Sequence, residues 1–255
     1  MPAATGQPHW AAPGTTLDGR TVLVVGGAGG VGEGVVRSLL AAGAAVVVAG
    51  RNAERLSELT ARIDDPRLTT EVLDALGDDL DDRAGEVAGR YGPLDGVVVS
   101  VASFGSQGRK PALDLTDAEF RFLIEANLTS VFRLYRAFVP HIAADGALIQ
   151  INGMSADMPF PGGAGLALAA AARKSLTLTV AAERAGRGPR VYQLIVGFIR
   201  TRPRQQAGID DPGWIPAADV GVHIAELIAG TSPLAGDDLQ YFVDVEQGPR
   251  PGPRP

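Results

Sequence analysis

Apolar positions along this chain fall into two alternating patterns. Short runs rich in Val, Ile and Leu lie near 21–26, 45–49, 68–73, 96–101, 147–152, 190–196 and 240–245, with the length and β-branched content of strands. Between them, apolar residues recur at helical spacing near 30–42, 53–63, 78–90, 117–143, 163–186 and 217–229. A β–α alternation of this kind predicts a parallel sheet covered by helices on both faces. One domain is expected over 17–248, since the chain shows no repeat, linker or change of composition. Residues 1–16 lack periodicity and read as a loose arm, and 249–255 (PRPGPRP) as a frayed tail. The interval from Ile199 to Pro216, rich in Arg, Gln, Gly and Pro, is long for a connection inside a domain and reads as a lid or binding loop.

Composition narrows the chemistry. At 255 residues and 45% apolar content the chain can bury a sizeable core. The absence of cysteine excludes disulfides, thiolate nucleophiles and Cys-based metal sites. A net charge of −6 argues against a general nucleic-acid binder. No run approaches the roughly 18 apolar residues of a membrane span, and no signal-peptide pattern opens the chain, so a cytoplasmic protein is expected. His9, His141 and His223 show no metal-ligand spacing; His9 falls in the arm, and the other two are expected at surface or capping positions.

The stretch Thr21–Gly34 (TVLVVGGAGGVGEG) carries the sharpest signal. An apolar run (Val22, Leu23, Val24, Val25) breaks into Gly26, Gly27, Gly29, Gly30 and Gly32, and a helix follows. Glycines allow a sharp turn and close approach to a ligand. The free amides and positive dipole end of the helix suit a pyrophosphate. After the second strand, Gly50 stands where an acidic residue would bind ribose hydroxyls, and Arg51-Asn52 follow. An arginine there suits a 2′-phosphate, so NADP(H) is favoured over NAD(H).

Several motifs in order resemble the short-chain dehydrogenases/reductases, over about Leu17 to Gly248. Val25-Gly26-Gly27-Ala28-Gly29-Gly30-Val31-Gly32 is similar to the family's T-G-x-x-x-G-x-G, with Val25 for threonine. Asp74 with Ala75 matches the position that meets the adenine. Val99-Ser100-Val101-Ala102 stands in place of N-N-A-G. Asn127 matches the family's helix asparagine, which holds the helix open and orders a water. Gly197-Phe198-Ile199-Arg200-Thr201 resembles P-G-x-[IV]-x-T, so the Ile199 backbone and Thr201 are expected to hold the nicotinamide carboxamide. The resemblance implies a single doubly wound Rossmann-type α/β domain with about seven parallel strands. It also implies a homodimer or homotetramer paired through helices 117–143 and 163–186.

The family's Ser, Tyr and Lys are missing. The resemblance puts Gly153 in the serine slot, Leu166 in the tyrosine slot and Ala170 in the lysine slot. No tyrosine occurs between Tyr135 and Tyr192. The run Gly162–Ala172 is nearly all small and apolar, which predicts a wide, dry pocket for an apolar or aromatic ligand. Ser155, Asp157, Tyr135 and Lys174 are candidate substitutes, each with an ordinary structural alternative. Ser103, Ser106, Gln107, Arg109 and Lys110 either line a substrate mouth or form a solvated loop.

The expected activity is an NADP(H)-dependent oxidoreductase of the ketoreductase/dehydrogenase type, acting on a small apolar or aromatic carbonyl or alcohol without the usual acid–base set. The alternatives are a non-catalytic cofactor-binding or partner subunit, and a non-redox cyclase or isomerase on an apolar substrate. Neither nucleic acid nor membrane is an expected partner.

Overall fold

The computed structural model describes residues 7–253. Its main sheet has the order β10-β9-β6-β5-β4-β1-β2-β3. In chain order these strands are β1 (Thr21–Val25), β2 (Ala45–Gly50), β3 (Leu68–Val72), β4 (Leu94–Val99), β5 (Ile142–Gly153), β6 (Arg190–Val196), β9 (Leu239–Phe242) and β10 (Arg250–Pro251). The first seven run parallel, and β10 closes the edge antiparallel to β9. Within β1, Val22 and Val24 face one core while Leu23 and Val25 face the other. A strand buried on both faces needs a continuous apolar run, which is what the sequence shows. Helices α1 (Gly30–Ala41), α2 (Ala53–Ile63) and α8 (Ala217–Ala229) cover the first face. Helices α3 (Leu80–Tyr91), α5 (Ser130–Phe138) and α6 (Ala164–Arg184) cover the second. Strand order reverses between β1 and β4, opening a crevice at their carboxyl ends.

Five expectations change. The predicted helix 117–143 is α4 (Asp117–Ile124), a π-helical turn (Glu125–Thr129), α5 and a 3-10 turn (Val139–His141), with β5 starting at Ile142. At the break, Asn127 Nδ2 takes the Leu123 carbonyl at 2.9 Å and the Ser130 amide reaches the Glu125 carbonyl. The interval 199–216 holds a two-stranded pair, β7 (Ile199–Arg200) with β8 (Ile215–Pro216), and the short helix α7 (Arg202–Gln206) between them.

Residues 7–16 of the expected loose arm lie against the domain; residues 1–6 are outside the described range. Trp10 packs edge-on to Phe242 and His223, and the Ala12 amide donates to Glu226 Oε1 at 2.7 Å. His223 is accordingly 1% exposed and bonded to Gln240, not a surface residue. The expected frayed tail contributes β10, with residues 254–255 outside the described range.

Candidate cofactor and active site

The glycine turn leaves β1 at Gly26, whose φ of +85° is left-handed. A Cβ there would run into the Ser100 carbonyl, and one on Gly32 into the Gly26 carbonyl. Only glycine therefore allows this approach of α1 to the sheet. Gly29 is the N-cap of α1 and brings no side-chain cap. No side chain therefore caps the first amides of the helix, the groups expected to meet a pyrophosphate. The turn opens onto a cleft of about 260 Å³. Of the expected cofactor residues, Gly26, Ala28, Gly29, Arg51, Asn52, Asp74, Ala75, Ser100, Val101 and Ala102 line it; Gly30, Val31, Gly32, Ile199 and Thr201 do not. Thr201 instead packs on Gly30, 3.0 Å from where a Cβ would stand.

Sequence reasoning missed Arg55. It lines the cleft with Arg51, from the first turn of α2, and its amide donates to the N-cap Asn52 Oδ1 at 2.9 Å. Its place three residues after an Asn N-cap was the available signal. Opposite, Arg133 on α5 donates to the Leu76 and Gly77 carbonyls at 2.7 and 2.5 Å and fixes the loop that carries Asp74.

Asn127 is wholly buried. Its carboxamide accepts from the Ser103 amide and donates to the Ser103 carbonyl, both at 2.8 Å. Ser103 thus belongs to the cleft wall. Beyond it, Lys110 pairs with Glu119 at 2.8 Å, and the Lys110 amide bonds the Gly162 carbonyl. The Lys110 ammonium and the Thr116 amide hold the Glu119 carboxyl down at about 2. Phe104 and the Arg109 guanidinium both pack on Phe160. This loop therefore closes over the start of α6.

The small-residue run on α6 does not widen the pocket. Gly165 lies so close to α4 that a Cβ would stand 2.5 Å from Leu123 Cδ1. The void shared by Leu166, Phe104, Leu115 and Leu123 is only about 10 Å³. Small residues here serve close helix packing.

The three vacated slots differ. At Gly153, the Ser155 hydroxyl is the nearest group, 3.7 Å from where a Cβ would stand. At Leu166 nothing protic replaces tyrosine. Beside Ala170, a guanidinium arrives that the sequence reading overlooked. Arg173, 2% exposed, donates to the Val101 carbonyl at 2.8 Å and to Asn152 Oδ1 at 3.1 Å. Asn152 Nδ2 in turn donates to the Ala170 carbonyl at 2.8 Å. Leu166, Ala170 and Arg173 stand at i, i+4 and i+7, one face of a helix, which was the missed signal. Burial lowers the Arg173 pKa to about 10.

The other candidates stand apart from the cleft. Tyr135 is buried between Gln150 and Thr177, at 3.0 and 2.7 Å, and burial pushes its phenol well above the usual range. Lys174 bonds Asp157 at 2.5 Å and Tyr241 at 3.1 Å, while Tyr241 donates to Asp157 at 2.6 Å. Partial burial would raise the Asp157 carboxyl, but these two donors hold it below its ordinary value. The group is a closed clasp between α6, β9 and the segment after β5.

Under the glycine turn, Glu33 is 5% exposed and meets Arg37, Arg62 and Arg202 at 2.9, 3.1 and 3.2 Å. Arg202 follows Thr201, so Glu33 ties the 199–216 segment to α1. In that segment Phe198 stacks on Trp214, and Arg204 lies over the same indole. Among the described residues no helix is long and apolar enough to cross a membrane, and no acidic or histidine cluster forms a metal site.

Comparison with known proteins agrees with this geometry. The sequence profile described as short chain dehydrogenase matches residues 20–211. An uncharacterised oxidoreductase of Mycobacterium tuberculosis H37Rv is 30% identical over 212 residues, covering 77% of this chain and 74% of that protein. Oxidoreductase UcpA of Escherichia coli K12 is 30% identical over 200 residues, covering 72% and 71%. An NADPH-bound short chain oxidoreductase of Pseudomonas aeruginosa, described as containing an atypical catalytic center, superposes with a TM-score of 0.72 at 25% identity, over 86% of this chain and 92% of that one. The chain is a member of the short-chain dehydrogenase family.

Proposed function

We propose that this chain is an NADP(H)-dependent oxidoreductase acting on a carbonyl or alcohol through an atypical site. The observation that carries the cofactor reading is the pair Arg51, just after β2, and Arg55, in the first turn of α2, both lining the cleft with Gly50. Two guanidinium groups and no carboxylate at that position favour a 2′-phosphate over a free ribose diol. The free amides of α1 would take the pyrophosphate. The Pseudomonas aeruginosa relative, which binds NADPH, supports the same assignment.

A bound nicotinamide cofactor supplies hydride; the protein orients and polarises the substrate. On this reading Ser155, near Gly153, donates a hydrogen bond to the substrate oxygen. Leu166 offers no proton, so water completes the alcohol. A positioned acid contributes about 10²–10⁴-fold in rate, and turnover is correspondingly slow.

A second reading, a non-catalytic nucleotide-binding subunit, has one observation in its favour. The void that Leu166 shares with Phe104, Leu115 and Leu123 is only about 10 Å³. Titration with NADPH, followed by nicotinamide fluorescence, tests the cofactor reading, and failure to bind at millimolar concentration overturns it. Consumption of NADPH against a panel of ketones and aldehydes separates the two readings: binding without turnover leaves the subunit role.

A further inference from the structure

Arg173 is a buried cation without an anion. Its partners are a carbonyl and a carboxamide oxygen, and its Nε has none. No carboxylate pairs with it among the described residues. Removing an unpaired charge from water is costly, and a hydrocarbon side chain would fill the same space without that penalty.

Its position suggests a use. Helical side chains lean towards the helix N-terminus, so Arg173 reaches back beside Ala170, as its link through Asn152 shows. Its other acceptor, Val101, is part of the cleft wall. The charge therefore lies against the segment after β4 that walls the cleft and against Asn152, three residues before Ser155 at the end of β5, where the nicotinamide end of the proposed dinucleotide would extend.

We propose that Arg173 sets the oxidation-state preference of this site: its fixed positive charge repels the cationic oxidised nicotinamide and spares the neutral reduced ring, so the chain holds NADPH in preference to NADP⁺. This rests on the cofactor reading above. Adenosine, 2′-phosphate and pyrophosphate are common to both forms, so their contacts cancel in the ratio of affinities. One such repulsion inside partly buried protein corresponds to a ratio on the order of tenfold. It also speeds release of the oxidised form, which favours reduction over oxidation of the substrate.

The test measures dissociation constants for NADPH, NADP⁺ and 2′-phospho-ADP-ribose, which has no nicotinamide. Wild type, R173K and R173M are compared, with melting temperatures alongside. In wild type, NADPH binds about tenfold more tightly than NADP⁺, and 2′-phospho-ADP-ribose also outcompetes NADP⁺. R173K keeps this order, and R173M brings the NADPH/NADP⁺ ratio close to one by tightening NADP⁺. A purely structural role weakens both forms together and leaves the ratio unmoved in R173M, which overturns the proposal, as does equal affinity in wild type. If R173M does not fold, the wild-type comparison decides: 2′-phospho-ADP-ribose binding no more tightly than NADP⁺ overturns it. Failure of all three nucleotides to bind overturns the cofactor reading, and this proposal with it.

Discussion

Asn127 grips Ser103 by both backbone groups, accepting from its amide and donating to its carbonyl at 2.8 Å each. The same carboxamide takes the Leu123 carbonyl at the break between α4 and α5. One side chain thus joins the π-helical turn to the cleft wall. In Asn127→Ala a buried amide and two buried carbonyls lose their partner, and a cavity opens. The expected cost is about 2–4 kcal/mol, read as a lower melting temperature together with weaker NADPH binding. An unchanged melting temperature would show that water replaces the carboxamide, and that the turn is held by its backbone alone.

Arg51 and Arg55, proposed to hold a 2′-phosphate, are predicted to act together. Each is exposed, so each contributes modestly. Loss of one charge-assisted bond, at about 1.4 kcal/mol, corresponds to roughly tenfold in affinity. Arg51→Ala and Arg55→Ala should each weaken NADPH by about that factor and leave NADH unaffected, and the double variant should bind both nucleotides alike. NADPH and NADH titrations of the three variants read this directly. A parallel loss for NADH would assign the arginines to the fold or the pyrophosphate instead.

Much of this arrangement was legible in the sequence, for physical reasons. A strand buried on both faces must be apolar throughout, so β1, β2 and β4 announced themselves. The approach of Gly26 to Ser100 tolerates no Cβ, so the turn was readable from glycine spacing. What escaped depended on direction in space. Helical periodicity continues through the π-helical turn, because Asn127 supplies by side chain what the backbone gives up. The run Gly162–Ala172 looked like empty space, yet Gly165 is small because Leu123 lies against it. Arg173 is three residues past the lysine position, and only the lean of its side chain brings its charge to Ala170. Trp10 sat in an unpatterned segment whose partner, Phe242, is far along the chain.

Glu33 is predicted to give the fold an acid-sensitive tie. Burial works against its charge, but Arg37, Arg62 and Arg202 outweigh this and hold its pKa below the ordinary carboxylate value. A folded-state pKa below the unfolded one stabilises the fold above the unfolded value of about 4.3, and that stability is lost as pH falls through the folded value. Glu33→Gln should therefore lower stability by about 2 kcal/mol near pH 7. The gap to wild type should close as pH falls below about 4. Melting temperature against pH for both proteins measures it. A gap that persists at pH 3 would mean that the side chain's packing, not its charge, holds α7 to α1.

Restoring the family's relay should meet opposite fates at its two helical positions. At Leu166 a phenol enters a space with about 10 Å³ to spare, so Leu166→Tyr overpacks against Phe104 and Leu123 and costs about 1–3 kcal/mol. It nonetheless supplies the missing acid, and NADPH consumption should rise by about 10²-fold or more if the chain is a reductase. Ala170 is 1% exposed, and the Arg173 guanidinium is linked to its carbonyl through Asn152. Ala170→Lys sets an ammonium beside it with no anion to share, so the single variant should be strongly destabilised. Arg173→Val removes the competing charge, and Ala170→Lys/Arg173→Val should be more stable than Ala170→Lys alone. Thermal unfolding of this cycle gives the coupling and its sign. If Arg173→Val only adds to the damage of Ala170→Lys, the two side chains do not compete for one place, and the guanidinium does not occupy the lysine position.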